Sequence, residues 1–175
     1  MLRYTILFAI PLLLSACGSV LSVNELVGAG GGSPRQVVES FLEDLNAALT
    51  DPELATPEAR RAWAERLASH FAPSERVDQR NAMAAMLARF AASAASPAVG
   101  AYATLELTFS GTEIIEQHDG RALVRVVDGQ FVLRFYNANG DLIRERSGGL
   151  IDLIGAQRDG LPTLQVGENW FMTEG

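Results

Sequence analysis

Few side chains in this sequence can carry chemistry. One thiol, Cys17, and two imidazoles, His70 and His118, are its only Cys and His residues in 175 positions. A single Cys excludes internal disulfides and thiolate zinc sites. Forty-seven residues lie between the two His residues, so no short-range metal-ligand spacing exists, and neither a metal nor a cofactor is expected. His70 falls at the end of a helical pattern, where a protonated ring suits the helix dipole. His118 precedes a turn dipeptide, and both read as surface or capping groups. All fourteen basic residues are Arg. Without Lys there is no Schiff base, no P-loop lysine and no Ser–Lys nucleophile pair. No Ser stands in a nucleophile-elbow pattern either.

The acids are scattered, and two are candidates for general acid–base work. Asp128 stands beside Gly129 where a strand pattern slips phase, a place where a bulge re-aims side chains and burial raises carboxyl pKa values. Asp152 sits among Leu150, Ile151, Leu153 and Ile154. The plainer reading of Asp128 is a turn-favouring acid. Trp63, Phe90, Tyr102, Phe131 and Phe135 are candidates for lining an apolar pocket. With Phe71, Tyr136 and Trp170 they equally suit a helix-on-sheet core. Arg125 and Arg134 interrupt apolar runs, which places them on a solvated sheet face or opposite an anionic ligand. Twenty-one acids against fourteen Arg give a formal charge of −7, so nucleic acid is not an expected partner.

The N-terminus has a different grammar. Arg3 begins a short positive region, Ile6 to Leu14 form an apolar run, and Ser15 and Ala16 are small, the order of a secretory signal. The run is about half the roughly twenty residues needed to cross a bilayer as a helix. Leu14-Ser15-Ala16-Cys17 resembles the lipobox of bacterial lipoproteins. That resemblance implies cleavage between Ala16 and Cys17 and a diacylglycerol on the thiol, with residues 1–16 as signal peptide. The alternative is an ordinary secreted chain in which Cys17 is idle. The mature chain would carry thirteen Arg against twenty-one acids, a formal −8. Anionic headgroups repel such a surface, so only the lipid is expected to touch the membrane. Gly18 follows the Cys where the inner-membrane retention pattern of Gram-negative lipoproteins has Asp.

Residues 17–33 end in Gly28-Ala29-Gly30-Gly31-Gly32-Ser33 and read as a flexible tether. A dinucleotide fingerprint would need Gly where Ser33 stands and an apolar strand ahead of it. A single domain then spans 34–175. Ser33-Pro34-Arg35-Gln36 signals a helix start with a capping box, and Val37, Val38, Phe41, Leu42, Leu45, Ala48 and Leu49 form one stripe to about Thr50. Thr56-Pro57-Glu58 opens a second helix running to Ala72-Pro73. A third, dense in Ala and Met, covers about Glu75 to Ala95, with Val77, Met83, Ala84, Leu87, Phe90, Ala91 and Ala94 inward. After Gly100 the period becomes two: Ala103, Leu105, Leu107 and Phe109 alternate with polar residues. Asp119-Gly120, Asn139-Gly140 and Asp159-Gly160 read as hairpin turns between long antiparallel strands. Asp128-Gly129 reads as a bulge. Leu164–Val166 and Trp170–Met172 pair around Gly167-Glu168-Asn169.

Helices followed by one antiparallel sheet make an α+β plan, with the N-terminal helices packed on the concave face of a curved, bulged sheet. This order resembles the nuclear transport factor 2-like, or cone, superfamily over roughly Ser33 to Met172. The resemblance is one of elements, and it transfers no catalytic residues. A sheet bent at Asp128-Gly129 is concave and a third helix rich in Ala and Met leaves space, so a cavity of a few hundred cubic ångströms is expected between the first helix, the third helix and the sheet. The function expected is a lipid-anchored, extracytoplasmic domain of the cell envelope that binds a small apolar ligand or an envelope partner protein without catalysis. The alternatives are a cone-fold enzyme of the isomerase, dehydratase or hydrolase kind, and an accessory subunit docking through its sheet face. A homodimer is also left open. For the anchor, protein extracted from membranes is expected to carry acyl mass on Cys17 and the Cys17→Ser variant none. Intact-mass measurement checks this, and a mature chain without added acyl mass refutes it.

Overall fold

In a computed structural model of the chain, the described residues are 30–154 and 160–174. The expected signal peptide, Cys17 with the expected lipobox, the expected tether as far as residue 29, and Asp159 lie outside them. The elements are α1 (Pro34–Thr50), α2 (Pro57–Ala68), α3 (Arg76–Ala95), β1 (Tyr102–Thr108), β2 (Gly111–His118), β3 (Arg121–Val127), β4 (Gln130–Tyr136), β5 (Leu142–Gly149), α4 (Leu150–Ile154), β6 (Leu161–Val166) and β7 (Asn169–Met172). The α+β order is as the sequence implies.

Local signals start the first two helices. Ser33 caps α1 by accepting the Gln36 amide at 3.2 Å, while the Gln36 side chain reaches back to the Gly32 N–H at 2.9 Å, the reciprocal logic of a capping box shifted by one residue. Thr56 caps α2 through the Ala59 amide. The α1 stripe of Val37, Val38, Phe41, Leu42, Leu45, Ala48 and Leu49 is buried and forms the centre of the core with Leu67, Leu87, Leu105, Leu107, Val124, Val126 and Leu150. α2 ends at Ala68, short of the expected Ala72, because residues 69–72 turn to meet β7. α3 buries only Gln79 and Leu87, and Val77, expected inward, is 60% exposed. A helix this rich in Ala has little apolar reach, so it touches the core with few side chains.

Gly30 to Ser33 belong to the domain rather than to a free tether. Gly31 exchanges backbone hydrogen bonds with Trp170 at 2.9 and 2.8 Å, and a Cβ at Gly30 would lie 2.4 Å from the Phe171 ring. Glycine lets the chain pass flat against β7.

The strands form two antiparallel sheets, β1-β4-β5 and β2-β3-β6-β7. They are the two arms of one bent ladder. Thr108 pairs with Gln130 on one side of the bend and Gly111 with Val127 on the other, so each strand gives two residues to the bend and none is inserted. Asp128-Gly129 is therefore a corner, not the expected bulge. Asp128 sits there at φ 52°, its carboxylate accepting the Ser110 hydroxyl at 2.9 Å. The corner reverses which side chains face inward: Ala122, Val124 and Val126 are buried before it, and Phe131 and Leu133 pack on the core after it. That is the phase slip seen in the sequence. True one-residue irregularities occur instead at Ile115 and Ile143.

Asp119-Gly120 is a hairpin turn with φ of 46° and 71°, and the turn containing Asn139-Gly140 joins β4 to β5. At Gly160 the expectation fails. β5 and β6 do not pair with each other; β5 runs along β4 and β6 along β3, with α4 between them. α4 seats on the corner, where the Leu150 N–H donates to the Gly129 carbonyl at 2.9 Å and the Leu150 side chain is fully buried. The chain thus needs a short helix, not a tight turn, to step from one arm to the other. The last hairpin turns on Gly167 at φ 63°.

Because a left-handed backbone costs a non-glycine residue about 1–2 kcal/mol, Asp128→Gly is expected to keep stability within about 1 kcal/mol of the parent. Asp128→Val, with a branched side chain and no acceptor for Ser110, is expected to lose about 2 kcal/mol. Urea denaturation midpoints at constant slope measure both.

Candidate functional site

Two places combine burial with polar chemistry. The first is a cavity of about 510 Å³ between α1, α3 and the sheet. α1 contributes Phe41, Leu45 and Leu49; α3 contributes Gln79, Met83, Met86 and Phe90; β1, β6 and β7 contribute Leu105, Leu161, Pro162 and Met172. Its volume falls in the range of roughly 300–1,000 Å³ usual for small-molecule sites. On the α3 side the wall is Gln79, Met83, Met86 and Phe90, and the two unbranched Met side chains make that wall adaptable. Leu153 of α4, 42% exposed, and the exposed Glu174 mark its mouth.

Of the five aromatic residues considered for a pocket, only Phe90 lines this cavity. Trp63 is half-buried on α2, donating its indole N–H to Asp51 at 2.6 Å with Arg66 over its ring. Tyr102 stacks on Tyr136 with centroids 5.0 Å apart. Phe131 packs on the core beside Gly148, and Phe135 is half-buried in β4. Asp128 and Asp152 are exposed, one at the corner and one on α4, and neither lines the cavity. Arg125 pairs with Glu113, and Arg134 with Glu106 and Glu145, so both lie on a solvated face. These two glutamates raise the Arg134 pKa.

The second place was not anticipated. His70, expected at the surface, is 3% exposed, and its Nε2 lies 2.8 Å from Asp44 Oδ2. Arg66 grips the same carboxylate, Nε at 2.8 Å and the terminal nitrogen at 2.6 Å. Burial pushes the Asp44 pKa up, but the hydrogen bonds and charges of Arg66 and His70 outweigh it and hold the carboxyl below its ordinary value. An ionised carboxylate only accepts, so His70 donates from Nε2. The signal was present: Asp44 falls in the apolar stripe of α1, between Phe41 and Leu45, and an acid on a buried face requires a partner. An Asp–His pair also orients catalytic bases. Here the other ring nitrogen, Nδ1, is buried without a hydrogen-bond partner among the described residues. A base must reach the proton it abstracts, and a sealed Nδ1 cannot. The cluster is a structural knot.

His118 is exposed near Glu116, Asp119 and Arg121. Among the described residues no group of three or more His, Cys, Asp or Glu side chains is placed to hold a metal ion. A groove between α2 and α3 has similar volume, about 450 Å³, and its walls mix the charged Arg60, Arg61, Glu65 and Arg80 with Pro57, Ala64 and Ala84. No described helix is long and apolar enough to cross a membrane. Comparison of the chain with protein-family models, curated proteins and solved structures finds no match.

Asp44→Ala leaves the buried Nε2 of His70 without its acceptor and is expected to cost about 1–3 kcal/mol. Asp44 titrates lower in the folded chain than in the unfolded one, so its contribution is complete above the ordinary carboxyl value of 3.8 and disappears as pH falls through the lower folded value. The stability gap between parent and variant, from urea melts across acid pH, is therefore expected to narrow only below that point.

Proposed function

We propose that this protein is a lipid-anchored cell-envelope domain of the cone type that binds a small apolar ligand between α1, α3 and the sheet. The observation that carries the reading is the cavity of about 510 Å³, walled by Phe41, Leu45, Met83, Met86, Phe90 and Leu105. Close packing is the rule in protein interiors, and an apolar volume of this size with an open mouth is the usual form of a ligand site. The Met side chains favour a pocket that adapts to its occupant. Non-catalytic binding fits the same residues: among the described residues Glu174 is the only charged group lining the cavity, and no second titratable group lines it. The lipobox Leu14-Ser15-Ala16-Cys17 supports the anchor, and the order of three helices, a bent antiparallel sheet and a final hairpin opening near Trp170 supports the cone assignment.

Nile red, a neutral apolar dye, tests the cavity. It is expected to bind the full-length Cys17→Ser chain with a fluorescence rise, and Met86→Trp in that background is expected to weaken binding at least about tenfold by occupying the volume. Leu142→Trp, on the exposed strand β5, is expected to leave it unchanged. Overpacking costs about 1–3 kcal/mol, so circular dichroism verifies the fold of each variant, with Met83→Trp as the replacement if Met86→Trp does not fold. Absence of dye binding, or equal binding by a folded cavity-filled variant, refutes the reading.

A further inference from the structure

The polar end of the cavity restricts the kind of apolar ligand that fits. It is built by Gln79, Thr173 and Glu174, the only polar residues of the lining among the described residues. Gln79 is 4% exposed, on the inner face of α3, and its amide nitrogen is committed to Glu174 Oε1 at 2.5 Å. The Thr173 hydroxyl donates to Glu75 Oε1 at 2.6 Å, and the Glu174 N–H donates to Glu75 Oε2 at 3.1 Å. Donors at this end are thus turned onto two carboxylates that belong to the protein. The acceptors left unengaged at this end are Gln79 Oε1, which bonds to no described residue, and the second oxygen of the exposed Glu174, against one remaining N–H of the Gln79 amide. No described lining residue is cationic. The nearby Arg76 is engaged with the Phe71 and Ser69 carbonyls and lies over the Phe171 ring.

Gln79 Oε1 is open to the cavity rather than sealed, since it is not among the buried atoms left without a partner, so a ligand that reaches it must bring a donor in place of water. Negative charge at the same place favours a cation and opposes an anion, as does the chain's net −7. We infer that the cavity takes an amphiphile whose head donates hydrogen bonds, a protonated amine ahead of an alcohol, and rejects the carboxylate of a fatty acid. This deepens the proposed function and rests on the cavity being a ligand site.

The test is displacement of Nile red from the full-length Cys17→Ser chain by decylamine, decanol and decanoate at neutral pH and low ionic strength. The three share one tail and differ only in the head. Decylamine is expected to displace the dye at a concentration about tenfold below decanoate, the scale of a partly exposed charge contact made in one case and opposed in the other, with decanol between them. Added salt is expected to shrink the difference. Glu174→Gln is expected to bring decylamine close to decanol, each displacement being referred to that variant's own Nile red affinity, and Glu174→Asp to restore part of the preference. Displacement by decanoate at an equal or lower concentration than decylamine, or an amine preference that Glu174→Gln does not alter, overturns the inference while dye binding keeps the cavity reading. Failure of the dye to bind removes both.

Discussion

One buried carboxylate joins the helical layer to the sheet. Asp44 sits in the apolar stripe of α1, and its charge is tolerable there only because Arg66 and His70 reach it from α2 and the turn after it. A buried charge without partners is far more costly than any packing defect, so α1 and the end of α2 have one mutual placement. His70 also passes the constraint onward. Its carbonyl accepts the Met172 N–H, and Ala72 donates to the Met172 carbonyl, which brings residues 70–72 alongside β7. Phe71 and Met172 thereby become adjacent walls of the cavity. Phe41 meets the rings of both His70 and Phe71 edge-on, so the knot is packed as well as bonded.

The corner at Asp128-Gly129 supplies the other constraint. A flat ladder would expose one face of every strand to the helices and the opposite face to water along its whole length. The corner exchanges the faces halfway, so β3 buries Val124 and Val126 while β4 turns Phe131 and Leu133 towards the core. α4 is seated at this bend by Leu150 and brings Leu153 to the mouth of the cavity. α3 then crosses the remaining opening with Gln79, Met83, Met86 and Phe90. The cavity is what these decisions leave unfilled.

The polar end of that cavity lies where the third helix meets the chain's last residues. Glu75 precedes α3, Gln79 lies in its second turn, and Thr173 and Glu174 follow β7. The bonds that fasten the C-terminal segment also set the polar groups at that end of the cavity, where the surrounding wall is otherwise aliphatic and aromatic.

The sequence by itself determined the elements. Caps at Ser33 and Thr56, the α1 stripe, the alternation of Leu105 and Leu107, the turns at Asp119-Gly120 and Asn139-Gly140 and the phase slip at Asp128 are local, because periodicity and backbone preference act over a few residues. A space beneath α3 was expected from its Ala and Met content, but of these only Met83 and Met86 line it, beside Gln79 and Phe90. Tertiary structure decided what depends on residues distant in the chain. His70 looked like a helix-end cap because nothing within its own helix reveals Asp44, twenty-six positions earlier. Trp63, Tyr102, Phe131 and Phe135 qualified for a pocket by type, but an aromatic ring serves core, surface stack and cavity equally well, and only its position chooses. The step from β5 to β6 looked like a hairpin at Asp159-Gly160 because a turn dipeptide states that the chain reverses, not which strands it pairs. Pairing is settled by the corner, which divides one ladder into two arms and obliges the chain to cross between them.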